Sequence, residues 1–394
     1  MRTRVSSADP GSPLSKADLC RLAADGLPPM LDPESQIYCS IYNRTAAGMV
    51  REGLSPRYTM MVLLGLHRYQ QSGHALPISV EPTLEALLRD TKWIDNLGDL
   101  GLLLWTCAEM KPGILPDLYT RIAAGQALGR YPDGRRGNTM EVSWYLTGLA
   151  SCAIAGYGDL PGLPGRAVEA RRVLAASCGP TGVYGHFSRT GSLSSSLRGR
   201  IGSFADQVYP TIALARAWRA WGEEETRAAS GATAQTMCRL QGPQGEWSWQ
   251  YDSLTGRVVT RYPVYAVHQH AMAPMMLLEA AEATGRDYSE WIDRGLAWIS
   301  GANELHRSFI EPELSLVWRS IFLGKTDTLA DCVLRFSGIR TGTAKAAKLQ
   351  VCYECRPYEL GWLLYAFGRF RADRDAAQLR PAGAEMTVPA ATLG

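Results

Sequence analysis

Two kinds of helical segment alternate along this chain, and the alternation limits its possible folds more than any other feature. Segments of one kind are apolar on nearly every face, so they must be buried on all sides. Segments of the other kind are amphipathic and cover a core with one face only. The apolar segments begin near Arg57, Ile94, Asn138, Ser203, Tyr262 and Glu354, and the amphipathic segments span 82–91, 115–128, 165–177, 223–240 and 287–300, with 15–26 as a sixth candidate. The pattern predicts an inner layer of helices inside an outer layer.

The connections between these segments predict a ring. Glycines that suit helix C-termini follow five apolar segments, at Gly73, Gly113, Gly156, Gly222 and Gly285. Short links favour antiparallel neighbours. We therefore predict an all-α fold, an (α/α)6 toroid of six inner and about six outer helices with long loops at one rim. We expect it to span residues 14–371, between a flexible N-terminus at 1–13 and a disordered tail at 372–394.

Composition excludes several classes of protein. The 394 residues are 46% apolar and 20% charged, which is ordinary for a globular protein. A net charge of +3 without a long Lys/Arg run argues against a nucleic-acid partner. We find no apolar run long enough to span a membrane and no apolar segment of a secretory signal. The oligomeric state stays open.

Cysteine usage predicts a cytoplasmic protein with reduced thiols. The nine cysteines are an odd number, and most of them stand in apolar helical runs. One CxxC occurs, at Cys352 to Cys355, without the second pair that a zinc site would need. We interpret it as two thiols on a helix face. We expect no metal and no cofactor.

Polar residues are concentrated at the beginnings of the apolar segments. If the inner helices run parallel, all six beginnings lie at one rim, where charge must be paired or solvated. Capping explains any single acid at a helix start. It does not explain the aromatic and basic residues there, so we predict a wet functional cavity. The polar residues in question are Arg57, Tyr58, Asp95, Asp99, Glu141, Ser143, Asp206, Gln207, Tyr265, His268, Gln269, Glu354, Arg356 and Glu359.

Carboxylates beside aromatic rings suit a sugar site. Inverting glycoside hydrolysis needs an acid and a base carboxyl group about 6.5–9.5 Å apart. We predict that Asp206 and Glu141 form this catalytic pair. The predicted substrate-binding residues are Asp252, Tyr251, Tyr265, His268, Gln269, Trp144, Tyr209, Trp249, Glu354 and Arg356.

Lyase or epimerase chemistry on a uronic acid would use other residues. A tyrosine (Tyr265 or Tyr251) or His268 would abstract the C5 proton, and Arg356 would neutralise the substrate carboxylate. His268 has a second interpretation as a neutral core histidine. His270 lies two residues further on, on a different helix face, and is not expected in the same site.

Long loops are candidates for binding elements. Residues 188–200 are rich in Ser and Gly, and we predict that they are flexible. Residues 302–350 are long for a loop in a compact domain, which predicts a lid, a binding loop or disorder. Whether they form a lid stays open.

The alternating helices resemble the six-hairpin glycosidase-like superfamily, the (α/α)6 toroids of many carbohydrate-active enzymes, over about residues 15–371. The resemblance implies a glycoside hydrolase, or a lyase or epimerase on a uronic acid sugar, acting on a glycan or a small molecule. A second resemblance competes. Gln241 to Trp247 (QGPQGEW) is similar to the Q-x(2–5)-G-x-W motif of terpene cyclase toroids, and 179–184 is a looser copy.

Two alternatives follow. The terpene cyclase resemblance implies a terpenoid cyclase-like enzyme, although the D-x-D-D acid motif of those enzymes is absent. We favour the interpretation that such turns tie helical hairpins together. The other alternative is a toroid without catalytic activity that binds a glycan or a partner.

Overall fold

A computed structural model describes residues 14–123, 138–187, 199–324 and 349–369. In these residues the helices form two layers. The inner helices are α2 (Pro56–Gln71), α4 (Leu97–Met110), α6 (Thr139–Cys152), α8 (Ala205–Trp221), α10 (Ala273–Thr284, preceded by the π-helical turn His268–Met272) and α12 (Pro357–Phe367). The outer helices are α1 (Lys16–Gly26), α3 (Glu81–Arg89), α5 (Leu115–Leu118), α7 (Leu163–Ser177), α9 (Glu224–Arg239) and α11 (Ser289–Ile299). The predictions for 1–13, for the tail at 372–394 and for parts of the 188–200 and 302–350 loops lie outside the described residues.

The inner helices form a closed ring. Each packs against the next inner helix along the chain, and α12 packs against α2. The outer helices α3, α5, α7 and α9 pack on α2, α4, α6 and α8, while α11 packs on α10 and the turn before it. Helix α1 packs on α12, so the first helix of the chain covers the last inner helix. The predicted (α/α)6 toroid is confirmed.

Short antiparallel strands lie in the segments that connect the helices of the ring. The described strands are β1 (Cys39–Thr45), β2 (Gly48–Leu54), β3 (Ile201–Ser203), β4 (Gln250–Asp252), β5 (Arg257–Thr260), β6 (Val264–Tyr265), β7 (Ile310–Glu311), β8 (Leu316–Val317), β9 (Ser320–Leu323), β10 (Leu349–Cys352) and β11 (Glu354–Cys355). They form four small sheets with the orders β11-β1-β2, β10-β9-β6, β3-β4-β5 and β7-β8.

Two inner helices begin later than the sequence predicted. The starts near Tyr262 and Glu354 are wrong, because Tyr265 pairs with Ser320 in a sheet and Glu354 pairs with β1. Helix α12 starts at Pro357, whose missing N–H suits the first turn. The prediction of two CxxC thiols on a helix face is also wrong, since these cysteines belong to β10 and β11.

The inner helices begin with side-chain caps at one rim. Ser55, Asn96 and Asn138 each accept a hydrogen bond from the backbone N–H three residues further on. Ser203 accepts one from the backbone N–H of Asp206 at 3.3 Å. These caps satisfy N–H groups that have no partner inside a helix. Capping therefore accounts for part of the polar pattern at the helix starts.

Glycines let neighbouring inner helices approach closely. A Cβ on Gly101 of α4 would lie 2.3 Å from the carbonyl oxygen of Trp144 in α6, and a Cβ on Gly148 would lie 2.3 Å from that of Gly101. Gly65 of α2 is in the same position against Gly361 of α12, where a Cβ would lie 2.0 Å from the carbonyl oxygen. Any larger residue at these contacts would force the ring apart.

We expect Gly101→Ala to lower the free energy of unfolding by about 1–3 kcal/mol, because the added methyl group overpacks the α4–α6 contact. The matched control is Gly165→Ala in α7, where a Cβ would meet nothing within 4 Å. There alanine should stabilise the chain by up to about 1 kcal/mol through helix propensity. Urea unfolding measures both, and equal effects would contradict the close approach of the two helices.

A buried cluster of charges closes the end of the ring opposite the helix starts. Arg216 of α8 lies 3.0 Å from Glu109 of α4 and 3.2 Å from Glu279 of α10, and it donates to Ser151 of α6 at 2.8 Å. Arg68 of α2 and Tyr365 of α12 complete the cluster through contacts with Glu279 at 3.4 and 3.2 Å. We call these six residues the ionic plug. Each inner helix contributes one of them, so access to the centre of the ring is from the opposite rim.

Candidate functional site

A cavity of about 240 Å³ lies among the starts of the inner helices. Its lining residues come from α2, α6, α8, the turn before α10, and α12, together with strands and loops beside them. They are Arg57, Tyr58, Met61, Met140, Trp144, Ser203, Ala205, Tyr209, Trp249, Tyr265, His268, Met272, Arg319 and Tyr358. The prediction that the helix starts converge on one cavity is confirmed for these five helices.

Aromatic rings form most of the cavity wall. Trp144 and Tyr209 meet edge to face with ring centroids 5.0 Å apart, and Trp249 meets Tyr265 in the same way at 6.0 Å. Such contacts fix the planes of the rings. Flat apolar surfaces held at fixed angles suit the faces of a sugar ring.

The charged side chains that line the cavity among the described residues are two arginines, Arg57 and Arg319. Arg57 Nε lies 2.7 Å from Asp99 Oδ1, and Arg319 Nε lies 3.0 Å from Glu354 Oε1. The carboxylates stand behind the arginines, so a ligand in the cavity meets the cations first. A guanidinium has five N–H donors, so each paired arginine retains donors for a ligand.

Arg319 was not predicted as a site residue, and its partner Glu359 was expected at the rim but not among the catalytic or substrate-binding residues. Glu359 is buried in the first turn of α12 and pairs with Arg319. Burial raises the pKa of Glu359 to about 7, against the opposing effect of Arg319 and Arg356. Arg356 itself contacts Glu354 at 2.9 Å and donates to the Tyr58 hydroxyl at 3.2 Å. The network holds Arg319 in place and contains a carboxyl group whose pKa burial raises towards neutral.

His268 lines the cavity with its ring almost completely buried. Burial lowers the pKa of His268 to about 3, so the imidazole is neutral. A hydrogen bond to the backbone of Trp247 opposes this effect. Because Nδ1 is the ring nitrogen without a partner and a carbonyl only accepts, Nε2 carries the proton and Nδ1 is an acceptor. That acceptor is buried and has no hydrogen-bond partner among the described residues.

Asp206 and Glu141, the predicted catalytic pair, lie at the same rim but not in the cavity wall. Asp206 Oδ2 accepts hydrogen bonds from the Ser203 N–H at 2.8 Å and its hydroxyl at 2.9 Å, and lies 3.1 Å from His186 Nδ1. Its Oδ1 is buried and has no hydrogen-bond partner among the described residues. Glu141 is half-buried in the first turn of α6, one residue after the lining residue Met140. Neither carboxylate is a lining residue, but each is next in sequence to one, Asp206 to Ala205 and Glu141 to Met140.

Five of the ten predicted substrate-binding residues line the cavity: Trp144, Tyr209, Trp249, Tyr265 and His268. Tyr251, Asp252, Gln269, Glu354 and Arg356 do not. Asp252 pairs with Arg200 at 2.8 Å and accepts from the Leu254 N–H at 3.0 Å, which fixes a turn. Tyr251 is fully buried in β4. Glu354 and Arg356 belong to the network behind Arg319.

Gln269 is a structural residue. Its amide accepts from the Trp247 N–H at 3.0 Å and donates to the Tyr265 carbonyl at 3.0 Å, so both of its amide groups are used by the backbone. Gln207 binds the backbone of Tyr184 in the same way, at 2.7 and 2.9 Å. The 241–247 and 179–184 loops are thus fastened to the inner helices by equivalent glutamines.

The Q-x(2–5)-G-x-W loop is a tie between hairpins, as we favoured. Gln241 Nε2 donates to the carbonyls of Gly245 and Trp291, both at 2.9 Å, which joins the loop after α9 to α11. Trp247 Nε1 donates to the Met237 carbonyl at 3.1 Å. Trp247 is fully buried and does not line the cavity.

The described part of the chain contains no group of three His, Cys, Asp or Glu side chains placed to hold a metal ion. In the same residues, none of the helices has the length and hydropathy to span a bilayer.

The fold places the chain in a class, the (α/α)6 toroids. No protein-family model matches the sequence, and no curated protein is significantly similar to it. A possible GH105 family member from Salmonella enterica serovar Paratyphi A has a similar structure, with 13% identity and a TM-score of 0.57 over 93% of this chain and 96% of that one. An unsaturated glucuronyl hydrolase responsible for glycosaminoglycan degradation, from Bacillus sp. GL1, has 14% identity and a TM-score of 0.56 over 91% and 96%.

A sugar epimerase from a ruminal bacterium is similar to the same extent, with 11% identity and a TM-score of 0.57 over 90% of this chain and 98% of that one. Identities this low show a common fold and nothing more. The activity of this chain has to be argued from its own cavity.

Proposed function

We propose that this protein is a carbohydrate-active enzyme that removes a terminal uronic acid residue from a glycan or a glycosylated small molecule. The observation that carries the proposal is the pairing of Arg57 and Arg319 with aromatic walls in one cavity. Arginine recognises carboxylates through two parallel hydrogen bonds, and aromatic rings cover the apolar faces of a sugar. The glucuronyl hydrolase and GH105 names among structures of the same fold support this substrate class.

The size of the cavity favours binding of one sugar ring at the chain end. Its volume of about 240 Å³ lies below the roughly 300–1,000 Å³ of pockets for drug-sized ligands. The ionic plug closes the far end of the ring, so a long glycan cannot pass through. Both features favour cleavage from the end of a chain.

Asp206 and Glu141 remain the proposed acid/base pair. In hydrolysis by inversion one carboxyl group protonates the leaving oxygen while the other activates a water molecule. The Oδ1 atom of Asp206 has no hydrogen-bond partner among the described residues. Asp206 follows the lining residue Ala205 in sequence. Glu141 has the same relation to Met140.

Lyase or epimerase chemistry is less well supported, because the cavity lacks a strong base among its described residues. Burial raises the pKa of Tyr265, with Arg319 opposing, so the phenol keeps its proton at neutral pH. His268 has a pKa of about 3, which makes its Nδ1 a weak base. Terpenoid cyclisation would need a largely apolar cavity, whereas Arg57 and Arg319 line this one.

An assay with matched substrates tests the proposal. The chain is incubated with unsaturated uronyl disaccharides, with saturated aryl uronides and with the neutral aryl glycosides of the same stereochemistry. We expect release of the uronic acid. Mass spectrometry detects it for all substrates, and loss of ultraviolet absorbance detects it for the unsaturated ones. Equal cleavage of the neutral glycosides, or no release from any uronide, would overturn the proposal.

We expect Arg319→Lys to raise the KM for the uronide about tenfold, because lysine keeps the charge but loses the two-pronged geometry. The retained charge keeps Glu354 and Glu359 paired, so thermal stability should change little. Arg44→Lys is a matched control, since Arg44 is exposed and stacks on the buried Trp318 at 5.6 Å. An unchanged KM in Arg319→Lys would remove Arg319 from substrate recognition.

A further inference from the structure

A second pocket adjoins the cavity and shares a wall with it. The outer pocket has a volume of about 290 Å³, and Arg57 and Tyr58 line both spaces. Its other walls include Trp93, Asp95 and Asp99 from the segment that leads into α4. A ligand that fills the cavity and extends past Arg57 therefore enters the outer pocket.

The charges of the outer pocket differ from those of the cavity. Asp99 pairs with Arg57 at 2.7 Å, so these two charges offset each other. Asp95 is exposed, and its backbone N–H donates to Asp99 Oδ2 at 3.3 Å, which fixes its position in the wall. The outer pocket thus has one carboxylate beyond the Arg57–Asp99 pair, whereas no carboxylate lines the cavity among the described residues.

Trp93 gives the outer pocket a fixed aromatic surface. Its Nε1 donates to the Leu87 carbonyl at 3.0 Å, which anchors the indole to the end of α3. The ring is only half-buried and lines the pocket. An anchored indole with carboxylate acceptors beside it offers stacking and hydrogen bonds to sugar hydroxyl groups.

We propose that the outer pocket is the subsite for the sugar residue next to the uronic acid, and that it selects a neutral or amino sugar over a sulfated or acidic one. This inference rests on the proposed function, since the uronic acid fills the cavity. The selection arises because a sulfate or carboxylate in the outer pocket would face Asp95. An amino or hydroxyl group there would donate to it.

Binding of saccharides to the full chain, measured by calorimetry, tests the subsite. The ligands are glucuronic acid, a thio-linked glucuronyl-glucosamine disaccharide that resists hydrolysis, and the sulfated form of that disaccharide. Trp93→Ala should weaken disaccharide binding about tenfold and leave the monosaccharide unchanged. Asp95→Asn should tighten binding of the sulfated disaccharide about fivefold and weaken binding of the unsulfated one, whose amino group loses a charged acceptor. Trp218→Ala, at the other end of α8, is the control for loss of a half-buried tryptophan.

Each outcome decides the question. If glucuronic acid binds and the disaccharide binds no tighter, or if Trp93→Ala affects both alike, the subsite is overturned and the proposed function stands. If a neutral disaccharide binds through Trp93 while no uronic acid binds, the subsite stands and the proposed function falls. If no saccharide binds, both are overturned. Tighter binding of the sulfated disaccharide by the unmodified chain would overturn the selectivity.

Discussion

Replacing Glu279 by glutamine is expected to lower the free energy of unfolding by roughly 3–5 kcal/mol, the usual cost of breaking a buried ion pair. Glu279 has 4% of its side chain exposed and contacts Arg68, Arg216 and Arg219. Glutamine keeps the shape but removes one of the two carboxylates of the ionic plug, so Arg68 and Arg216 are left with Glu109 alone. Urea unfolding followed by circular dichroism measures the loss.

Glu282→Gln is the matched control. Glu282 contacts the same Arg219 at 2.7 Å, but 49% of its side chain is exposed. Solvent screens such a pair, and its removal should cost about 0–1 kcal/mol. Equal losses in the two variants would show that burial of the plug does not determine its contribution.

The pH dependence provides an independent check on the same pair of variants. Burial opposes ionisation of Glu279, but the three arginines outweigh it and lower the pKa from 4.5 to about 2. A carboxyl group whose folded pKa lies below its unfolded value stabilises the fold above the unfolded value. This contribution is lost as the pH falls from about 4.5 towards 2. Over that range the difference in free energy of unfolding between the unmodified chain and Glu279→Gln should therefore shrink. The corresponding difference from Glu282→Gln should stay small throughout.

The pKa values of buried glutamates are shifted in opposite directions at the two ends of the ring. In the ionic plug Glu279 faces three arginines, and its pKa is low. At the other rim Glu359 shares Arg319 with Glu354, and burial raises its pKa to about 7. In the ionic plug the arginines outweigh burial and lower the pKa of Glu279, whereas at the rim burial outweighs Arg319 and Arg356 and raises the pKa of Glu359.

The helical layers could be predicted because burial on all faces and burial on one face leave different patterns in the sequence. The site could be predicted only in part. Trp144, Tyr209 and His268 follow from their places in the first turns of inner helices. Arg319 could not be found in this way, because β9 brings it to the rim from a loop and its position depends on pairing with β6 and β10. Contacts made across sheets leave no local periodicity.

Some polar residues at the helix starts gave a misleading signal. Gln269 was predicted to bind substrate, yet it binds the backbone of the preceding loop. A buried loop needs partners for its N–H and C=O groups as much as a ligand does. The sequence shows that a polar side chain is present, but it does not show whether that side chain binds a loop backbone or a ligand. The ionic plug was missed for a related reason, since its members come from all six inner helices and meet only when the ring closes.

We expect Asp206→Asn to lower kcat on the uronide by about 10²–10⁴-fold, the usual contribution of a general acid or base. Asparagine keeps the size of the side chain and its place beside Ser203 but neither ionises nor transfers a proton. The loss of stability should stay within about 2 kcal/mol. Asp32→Asn is a matched control, because Asp32 also accepts from the N–H and hydroxyl of a serine, Ser35, at 2.8 and 2.6 Å.

The comparison of Asp206→Asn with Glu141→Gln decides whether the two act as a pair. If the two carboxyl groups serve one step, replacing either should remove most of the activity. The double variant should then lose little more activity than either single variant. Wild-type turnover in both single variants would remove the pair from catalysis. If only Asp206→Asn is inactive, the second carboxyl group is another member of the rim, and Asp99 and Glu359 are the next to replace. Glu359 is then the stronger candidate for the acid, because it retains a proton near neutral pH.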